Sequence, residues 1–245
     1  NTFFVLAEKM INMIKKRVVV TGIGVVAPNG IGKDFENAMF EGKSGISKIT
    51  AFDDPKCPVK IAGEIKNFDP LDYAPLATVR KTDRFVHLGL AATKLAIEDS
   101  GIEIGELKHA AIIIGSAQGG LSFHEQGILN YLEKGTKGAS ANVIPKVSSN
   151  AVSANIAMVH KIYGMNYVVA TACSSGSQAV GQAFRNIQYG LCDIAITGGV
   201  EATITPVMMS MYDVMTALIK RYEEPEKASR PFDMMRDFKV SFDVI

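Results

Sequence analysis

Four short runs of apolar, mostly β-branched residues recur along the chain and predict buried strands. They are continuously apolar rather than alternating, which is typical of strands covered on both faces of a sheet. Glycine or other turn-forming residues lie at or just after the end of each run. The predicted strands are 17–24 (RVVVTGIG), 109–117 (HAAIIIGSA), 166–172 (NYVVATA) and 193–199 (DIAITGG).

Between these runs, apolar residues recur at helical spacing. Residues 80–101 predict a strong amphipathic helix, because their apolar side chains fall on one face and Gly101 supplies a stop. Residues 31–45 predict a short helix, 50–76 a loop-rich segment with four prolines, and 118–165 a mostly helical excursion. Strands that alternate with helices predict an α/β domain whose parallel or mixed sheet is covered on both faces.

Composition excludes several classes of function. The chain has 245 residues, 47% of them hydrophobic, and its 26 basic and 25 acidic residues nearly cancel, so no basic excess indicates nucleic acid. No run approaches the ~18 apolar residues of a membrane span. The three cysteines are far apart and match neither a disulfide framework nor a metal site, which favours a reducing, cytoplasmic compartment.

Two glycine-containing segments come close to nucleotide-binding motifs but lack a required glycine. TGIGVVAPNG (21–30) has Ala27 where a dinucleotide fingerprint needs glycine. GIGKD and EGKSG have Ala27 and Asn37 where a phosphate loop needs its first glycine. We therefore expect glycine turns at helix ends, with no cofactor and no metal.

Cys173 is the candidate nucleophile. It directly follows the predicted strand 166–172 and opens a helical pattern that runs to about Tyr189. A thiol at a helix N-terminus meets unpaired N–H groups and the positive dipole end, which favour the reactive thiolate and can hold an oxyanion. The geometry resembles a nucleophile elbow with sulfur in place of oxygen. The alternative, which spacing alone leaves open, is a small buried hydrophobe.

The residues around Cys173 strongly resemble the β-ketoacyl-acyl-carrier-protein synthases of the thiolase superfamily. The motifs ATACSSGSQAVGQA and YGLCDIAITGGVEA carry the likeness. Other segments occur in the family's order, namely KRVVVTGIGVVAPNG, GKSGI, FDP, RKTDRF, EDSGI, IIIGSAQGGL, IPKVSSNAVSANIA and KASRPFD. The resemblance covers about residues 15–237, and an ordered set of motifs is far more specific than a single one.

The resemblance implies a thiolase-like layered αβαβα fold, of which this chain would be the N-terminal half with a helical dimerisation or cap excursion. Cys173 would take an acyl chain from the phosphopantetheine arm of acyl-carrier protein as a thioester. Malonyl-carrier protein would then lose CO2 and attack that thioester, giving a 3-oxoacyl chain two carbons longer. A homodimer, or pairing with a C-terminal half, is also implied.

The resemblance further assigns residues near the acyl chain. Gln118 matches a gate to the acyl pocket, and Val143 and Tyr212 match positions that line it. Ordinary packing or loop positions are the alternative for these three residues. Glu201 is expected to be structural, and Thr171 to help position the turn at the cysteine.

Three basic residues match surfaces that would meet the acidic carrier protein. Arg80 and Lys81 match one basic patch, and Lys137 lies in a second basic segment. For each residue taken alone, a solvated helix end or loop is the alternative.

The sequence also departs from the family's pattern. It contains neither the HGT nor the GHxxGA motif, which supply two histidines that act with the cysteine, and its own four histidines are expected at surface or capping positions. We expect residues 1–12 to be an N-terminal extension and 13–245 to be the ketoacyl synthase N-terminal domain without its C-terminal half.

Three functions therefore stay open. The first is an elongating condensing enzyme. The second is a non-catalytic partner like a chain-length factor, or an inactive fragment, which the missing histidines favour and the presence of Cys173 opposes. The third is a thiolase acting on coenzyme A thioesters, which the TACSSG and RPFD motifs disfavour.

Overall fold

The computed structural model describes residues 16–219 and 222–234, so the extension predicted over 1–12 lies outside the described residues. The strands are β1 (Val26–Ala27), β2 (Gly30–Ile31), β3 (Ile46–Lys48), β4 (Ile61–Gly63), β5 (Ala111–Gly115), β6 (Asn166–Val169) and β7 (Ala195–Gly199). The helices are α1 (Lys33–Phe40), α2 (Leu76–Lys81), α3 (Arg84–Ser100), α4 (Leu121–Lys134), α5 (Val143–Val147), α6 (Ala151–His160), α7 (Ser175–Gln188) and α8 (Pro206–Val214).

The central sheet has three parallel strands in the order β6–β5–β7. Ile113 of β5 lies opposite Tyr167 of β6 and Thr197 of β7. Parallel neighbours need long crossovers, and helices α4–α6 and α7 supply them. All three strands consequently end at the same edge of the sheet.

Helices cover both faces of this sheet, which explains the continuous apolar run of β5. Ile112 and Ile114 point into the main core with α3 and α6. Ala111 and Ile113 point the other way and pack on Ala179 and Ala183 of α7. The predicted buried strand within 109–117 is therefore confirmed, and so is the helical excursion. The strands within 166–172 and 193–199 also form, but they are only partly buried.

The strand predicted over 17–24 is wrong in this structure. Residues 16–25 have no regular secondary structure, and their backbone bonds to helices: the Lys16 N–H donates to Gln188 O, and the Ile23 N–H to Asp99 Oδ2. An apolar run becomes a strand only where a neighbouring strand completes its hydrogen bonds. Here residues 18–24 and β7 instead line an apolar cavity of about 410 Å³.

Several predicted boundaries also change. The helix predicted over 80–101 begins at Arg84, because Asp83 caps α3 by accepting from the Arg84 N–H, and the preceding residues form the separate helix α2. The helix predicted over 31–45 shortens to α1. The segment 50–76, predicted to be loop-rich, also contains the short strand β4, which pairs with β3.

Within residues 16–219 and 222–234, none of the helices combines the length and the apolar character that crossing a bilayer requires.

Candidate active site

The carboxyl ends of the three parallel strands are bonded to one another just before the predicted nucleophile. The Ser116 N–H, directly after β5, donates to Val169 O at the end of β6 at 3.1 Å. The Val200 N–H, directly after β7, donates to Gly115 O at 2.9 Å. The chain leaves β6 at this edge and reaches Cys173 four residues later, so the cysteine lies where the strand ends converge.

Residues 171–175 form a tight turn between β6 and α7. Ala172 has a φ of 53°, in the left-handed region that residues with a side chain rarely adopt. Ser175 stabilises it, because its Oγ accepts from the Thr171 N–H at 2.9 Å and donates to Ala172 O at 2.7 Å. Such strain in a strand–turn–helix connection is typical of functional turns.

Cys173 projects from this turn as an exposed free thiol. The helix begins two residues later than predicted, at Ser175 with Ser174 as its N-cap, so Cys173 precedes the cap rather than opening the helix. Exposure of the thiol in this chain argues against the alternative of a small buried hydrophobe. Cys57, in contrast, is buried in a hydrophobic cluster, and burial raises the pKa of the half-buried Cys192 thiol.

Direct backbone contact fixes the start of α7 on the sheet. A Cβ added to Gly115 would lie 2.3 Å from the carbonyl carbon of Ser175, too close for any real side chain. Gly176 and Gly199 also approach each other closely, since a Cβ on Gly199 would lie 2.8 Å from Gly176 Cα. Glycine at these positions therefore lets the turn that carries Cys173 lie directly against the ends of β5 and β7.

We expect Gly115→Ala to lower the free energy of unfolding by about 1–3 kcal/mol, because the added methyl must displace the backbone of α7. Urea titration followed by circular dichroism measures the change. Gly105→Ala is the matched control, since no atom lies within 4 Å of its added Cβ. Equal midpoints for the two variants would contradict this close approach.

The Tyr212 phenol interacts electrostatically with both Glu201 and Cys173. Burial raises the pKa of the Tyr212 phenol, a hydrogen bond with Thr203 opposes the shift, and the charges of Glu201 and Cys173 add to it. The phenol therefore lies within electrostatic range of both groups. We call these three residues the Cys173–Tyr212–Glu201 cluster after the electrostatic interactions of Tyr212 with the other two. Tyr212 lies on α8, and Glu201 follows the end of β7.

Glu201 binds the loop that follows β5. Its carboxylate accepts from the Ala117 N–H at 2.8 Å, from the Gln118 N–H at 3.2 Å and from Ser116 Oγ at 3.3 Å. Burial raises the pKa of this carboxyl, and hydrogen bonds from the loop, including one from the Gly119 backbone, oppose the shift. Glu201 therefore has a structural role, as expected, because it holds residues 116–119 at the edge of the site.

Comparison with known proteins identifies the architecture. The family model described as the N-terminal domain of beta-ketoacyl synthase matches residues 15–238. The chain belongs to the β-ketoacyl synthase family. The 3-oxoacyl-[acyl-carrier-protein] synthase 2 of Vibrio harveyi is 39% identical over 230 residues, which are 92% of this chain and 55% of that protein. The chain thus spans about half the length of the curated relatives it matches.

Solved structures give the same result for the fold. The ishigamide ketosynthase/chain length factor superposes with a TM-score of 0.81 at 24% identity. A β-ketoacyl synthase from Burkholderia phymatum STM815 superposes with a TM-score of 0.76 at 26% identity. Each covers 92% of this chain and 56% of the other. The predicted α/β, thiolase-like fold of the synthase N-terminal half is confirmed.

Of the other two predicted acyl-pocket residues of the synthase domain, Gln118 is bonded to this cluster and Val143 is not part of it. Gln118 is exposed, but its backbone N–H is bound by Glu201, so its position is tied to the cluster. Val143 is the first residue of α5 and is 44% exposed. The structure places it on the helical excursion, outside the Cys173–Tyr212–Glu201 cluster.

The three predicted basic residues of the synthase domain are exposed on two elements. Arg80 and Lys81 form the last turn of α2, where the helix dipole favours cations. The end of α2 is held by His87 of α3, whose Nε2 lies 3.1 Å from both Val79 O and Thr82 Oγ1. Lys137 lies in a 3₁₀ turn after α4.

Sequence analysis missed Asp83 as an organising residue. Its carboxylate caps α3 through the Arg84 N–H and also accepts from the Phe123 N–H of α4 at 2.8 Å. The signal for the cap was present, since aspartate before an apolar helical pattern is a common N-cap. The second contact joins residues 40 positions apart and has no local signal.

Proposed function

We propose that this chain is the acyl-accepting domain of a 3-oxoacyl-acyl-carrier-protein synthase. One observation carries the proposal: the exposed thiol of Cys173 stands on a strained turn between β6 and α7, at the edge where three parallel strands end. The name of the Vibrio harveyi relative supports the reaction type and the carrier-protein substrate. Residues 13–245 form the synthase domain in this proposal.

The first step is transfer of an acyl group to sulfur. The Cys173 thiolate attacks the carbonyl carbon of the acyl-carrier-protein thioester, forming a C–S bond and an oxyanion. The positive end of the α7 dipole lies at this turn and stabilises both the thiolate and the oxyanion. The oxyanion then collapses, the bond to the phosphopantetheine sulfur breaks, and that sulfur leaves as a thiolate that takes up a proton.

The second step forms the new carbon–carbon bond. Malonyl-carrier protein loses CO2, and the electron pair of the broken C–C bond becomes an enolate. Its carbon attacks the acyl-Cys173 carbonyl, and the Cys173 thiolate leaves and is regenerated. The product is 3-oxoacyl-carrier protein, and no external oxidant or reductant is needed.

The proposal assigns supporting roles to the residues around the cluster. Gln118 and Tyr212 border the acyl chain next to Cys173, and Val143 reaches it from the excursion in the assembled enzyme. The exposed cations Arg80, Lys81 and Lys137 attract the acidic carrier protein. We also propose a homodimer or pairing with a C-terminal half, and a cytoplasmic location, which suits the three free thiols.

Acyl loading tests this function. The folded chain is incubated with an acyl-carrier-protein thioester, and its intact mass is measured. We expect an added acyl group on the native chain, removable by hydroxylamine, and none on Cys173→Ala. Cys192→Ala is the matched control and should load like the native chain, since that thiol lies outside the proposed site.

Two results would contradict the proposal. A native chain that is folded by circular dichroism but stays unmodified would favour a non-catalytic partner of the chain-length-factor kind. Faster loading from acyl-coenzyme A than from the carrier-protein thioester would favour a thiolase instead.

A further inference from the structure

The loop between β5 and α4, residues 116–120, is held from two sides. On one side Glu201 accepts hydrogen bonds from Ser116, Ala117 and Gln118. On the other side the loop packs against the end of α5. There the Gly120 N–H donates to Val147 O at 3.1 Å.

The second side of the loop is in backbone contact with α5. A Cβ added to Gly120 would lie 1.7 Å from Lys146 O, and one added to Gly119 would lie 2.5 Å from Val147 O. Gly119 also has a φ of 68°, a conformation that favours glycine. The α5 side of the loop is therefore fixed by backbone packing, whereas the N–H groups of Ala117 and Gln118 on the other side are held by the side chain of Glu201.

That side chain belongs to the cluster at Cys173. The Ser116 N–H bonds to Val169 O, at the end of the strand that leads to Cys173. The neighbouring Gly115 lies directly against Ser175 in the turn that carries the thiol. Any movement of residues 116–118 away from Glu201 would consequently change the space beside the thiol. Hydrogen bonds to a carboxylate are stronger than those between neutral groups, so this contact holds the loop well.

We propose that Glu201 is a positioning residue that latches residues 116–118 beside Cys173 and so limits the length of chain that reaches the thiol. The inference rests on the proposed function for its biological meaning, because the chain to be selected is then an acyl chain. Glu201 touches neither substrate nor the reacting atoms in this role. It acts through the loop and through Gln118, whose N–H it binds.

Hydrogen exchange of the full chain tests the latch directly. In Glu201→Gln one carboxylate oxygen becomes an NH2 group, which cannot accept from the loop. We expect amide exchange in residues 116–119 to accelerate about ten- to hundredfold, as expected for loss of charge-assisted hydrogen bonds. Exchange in α3 serves as the internal standard and should not change. Unchanged exchange in the loop would overturn the latch.

Access to the thiol tests the selection. N-ethylmaleimide and N-dodecylmaleimide add to thiols without any carrier protein, and the product at Cys173 is measured by peptide mass spectrometry. We expect the ratio of dodecyl to ethyl rates to rise several-fold in Glu201→Gln. A loop that exchanges faster while this ratio stays constant would overturn the role in chain-length selection. If Glu201 only stabilised the fold, the ratio of dodecyl to ethyl rates at Cys173 would not change in Glu201→Gln.

Matched variants complete the test. Glu64→Gln changes another buried carboxylate, which accepts from the Thr50 N–H at 2.8 Å, and should alter neither measurement. Ser116→Ala keeps Glu201 and removes one of its hydrogen-bond donors. It should therefore raise loop exchange and the dodecyl-to-ethyl ratio, but by less than Glu201→Gln does. If Glu201→Gln does not fold, the result for Ser116→Ala decides whether the latch exists. A chain that fails to load from acyl-carrier protein refutes the proposed function, whereas these measurements still decide the latch.

Discussion

Replacing Cys173 with serine is expected to slow acyl loading about 10²- to 10⁴-fold, because a hydroxyl, unlike a thiol, needs a general base to become nucleophilic. A thiol already ionises in part near neutral pH, and the start of α7 favours the anion. Serine keeps nearly the same shape, so the turn at 171–175 should stay folded. Loading is followed as the rate of appearance of the acyl-protein mass.

The control for this prediction is Ser177→Ala. Ser177 is an exposed residue of the first turn of α7, so it shares the environment of the helix start without carrying the proposed nucleophile. Its variant should load at the native rate. If Cys173→Ser also loaded at the native rate, the acyl group would be going to another residue and the proposed nucleophile would be wrong.

Replacing Phe85 with alanine is expected to lower the free energy of unfolding by about 3–5 kcal/mol. Phe85 is fully buried in the first turn of α3, in the main core between α3, α6 and the sheet. Its removal leaves a cavity that the surrounding side chains fill only in part. Domains are stable by about 5–15 kcal/mol, so the loss is a large fraction of the total.

Phe40→Ala is the matched control, because Phe40 at the end of α1 is 91% exposed. It should change the free energy of unfolding by less than about 0.5 kcal/mol. Both variants are measured by urea titration at constant m-value, so that the midpoint reports stability alone. A difference between them below about 1 kcal/mol would contradict the assigned core.

Local sequence patterns predicted the elements that depend only on neighbouring residues or that are surrounded by apolar side chains on both faces. The continuous apolar run of β5 indicated burial on both faces, and its residues do alternate between the α3–α6 core and α7. Where a boundary depended on one cap, the pattern misled. The pattern predicts Arg80 and Lys81 in the long helix, but the cap at Asp83 separates them into α2.

The segment 17–24 shows what a local pattern cannot supply. Its residues are as β-branched as those of β5, yet the Ile23 N–H bonds to Asp99 of α3 rather than to a strand. The N–H of Lys16, just before the segment, bonds to Gln188 of α7. Strand formation depends on a partner distant in sequence, and the propensity of the segment says nothing about which partner is within reach.

By itself the sequence determined the family, the alternation of β5, β6 and β7 with helices, and the cysteine at the joint between β6 and α7, because each depends on a contiguous run of residues. Only the tertiary structure decided the left-handed turn at Ala172, the exposure of the thiol and the grip of Glu201 on residues 116–118. Glu201 and Ala117 are 84 positions apart, and they meet because parallel strands end at one edge of the sheet. The contact between Glu201 and Ala117 depends on how whole strands and helices are connected, so it cannot be predicted from the sequence around either residue.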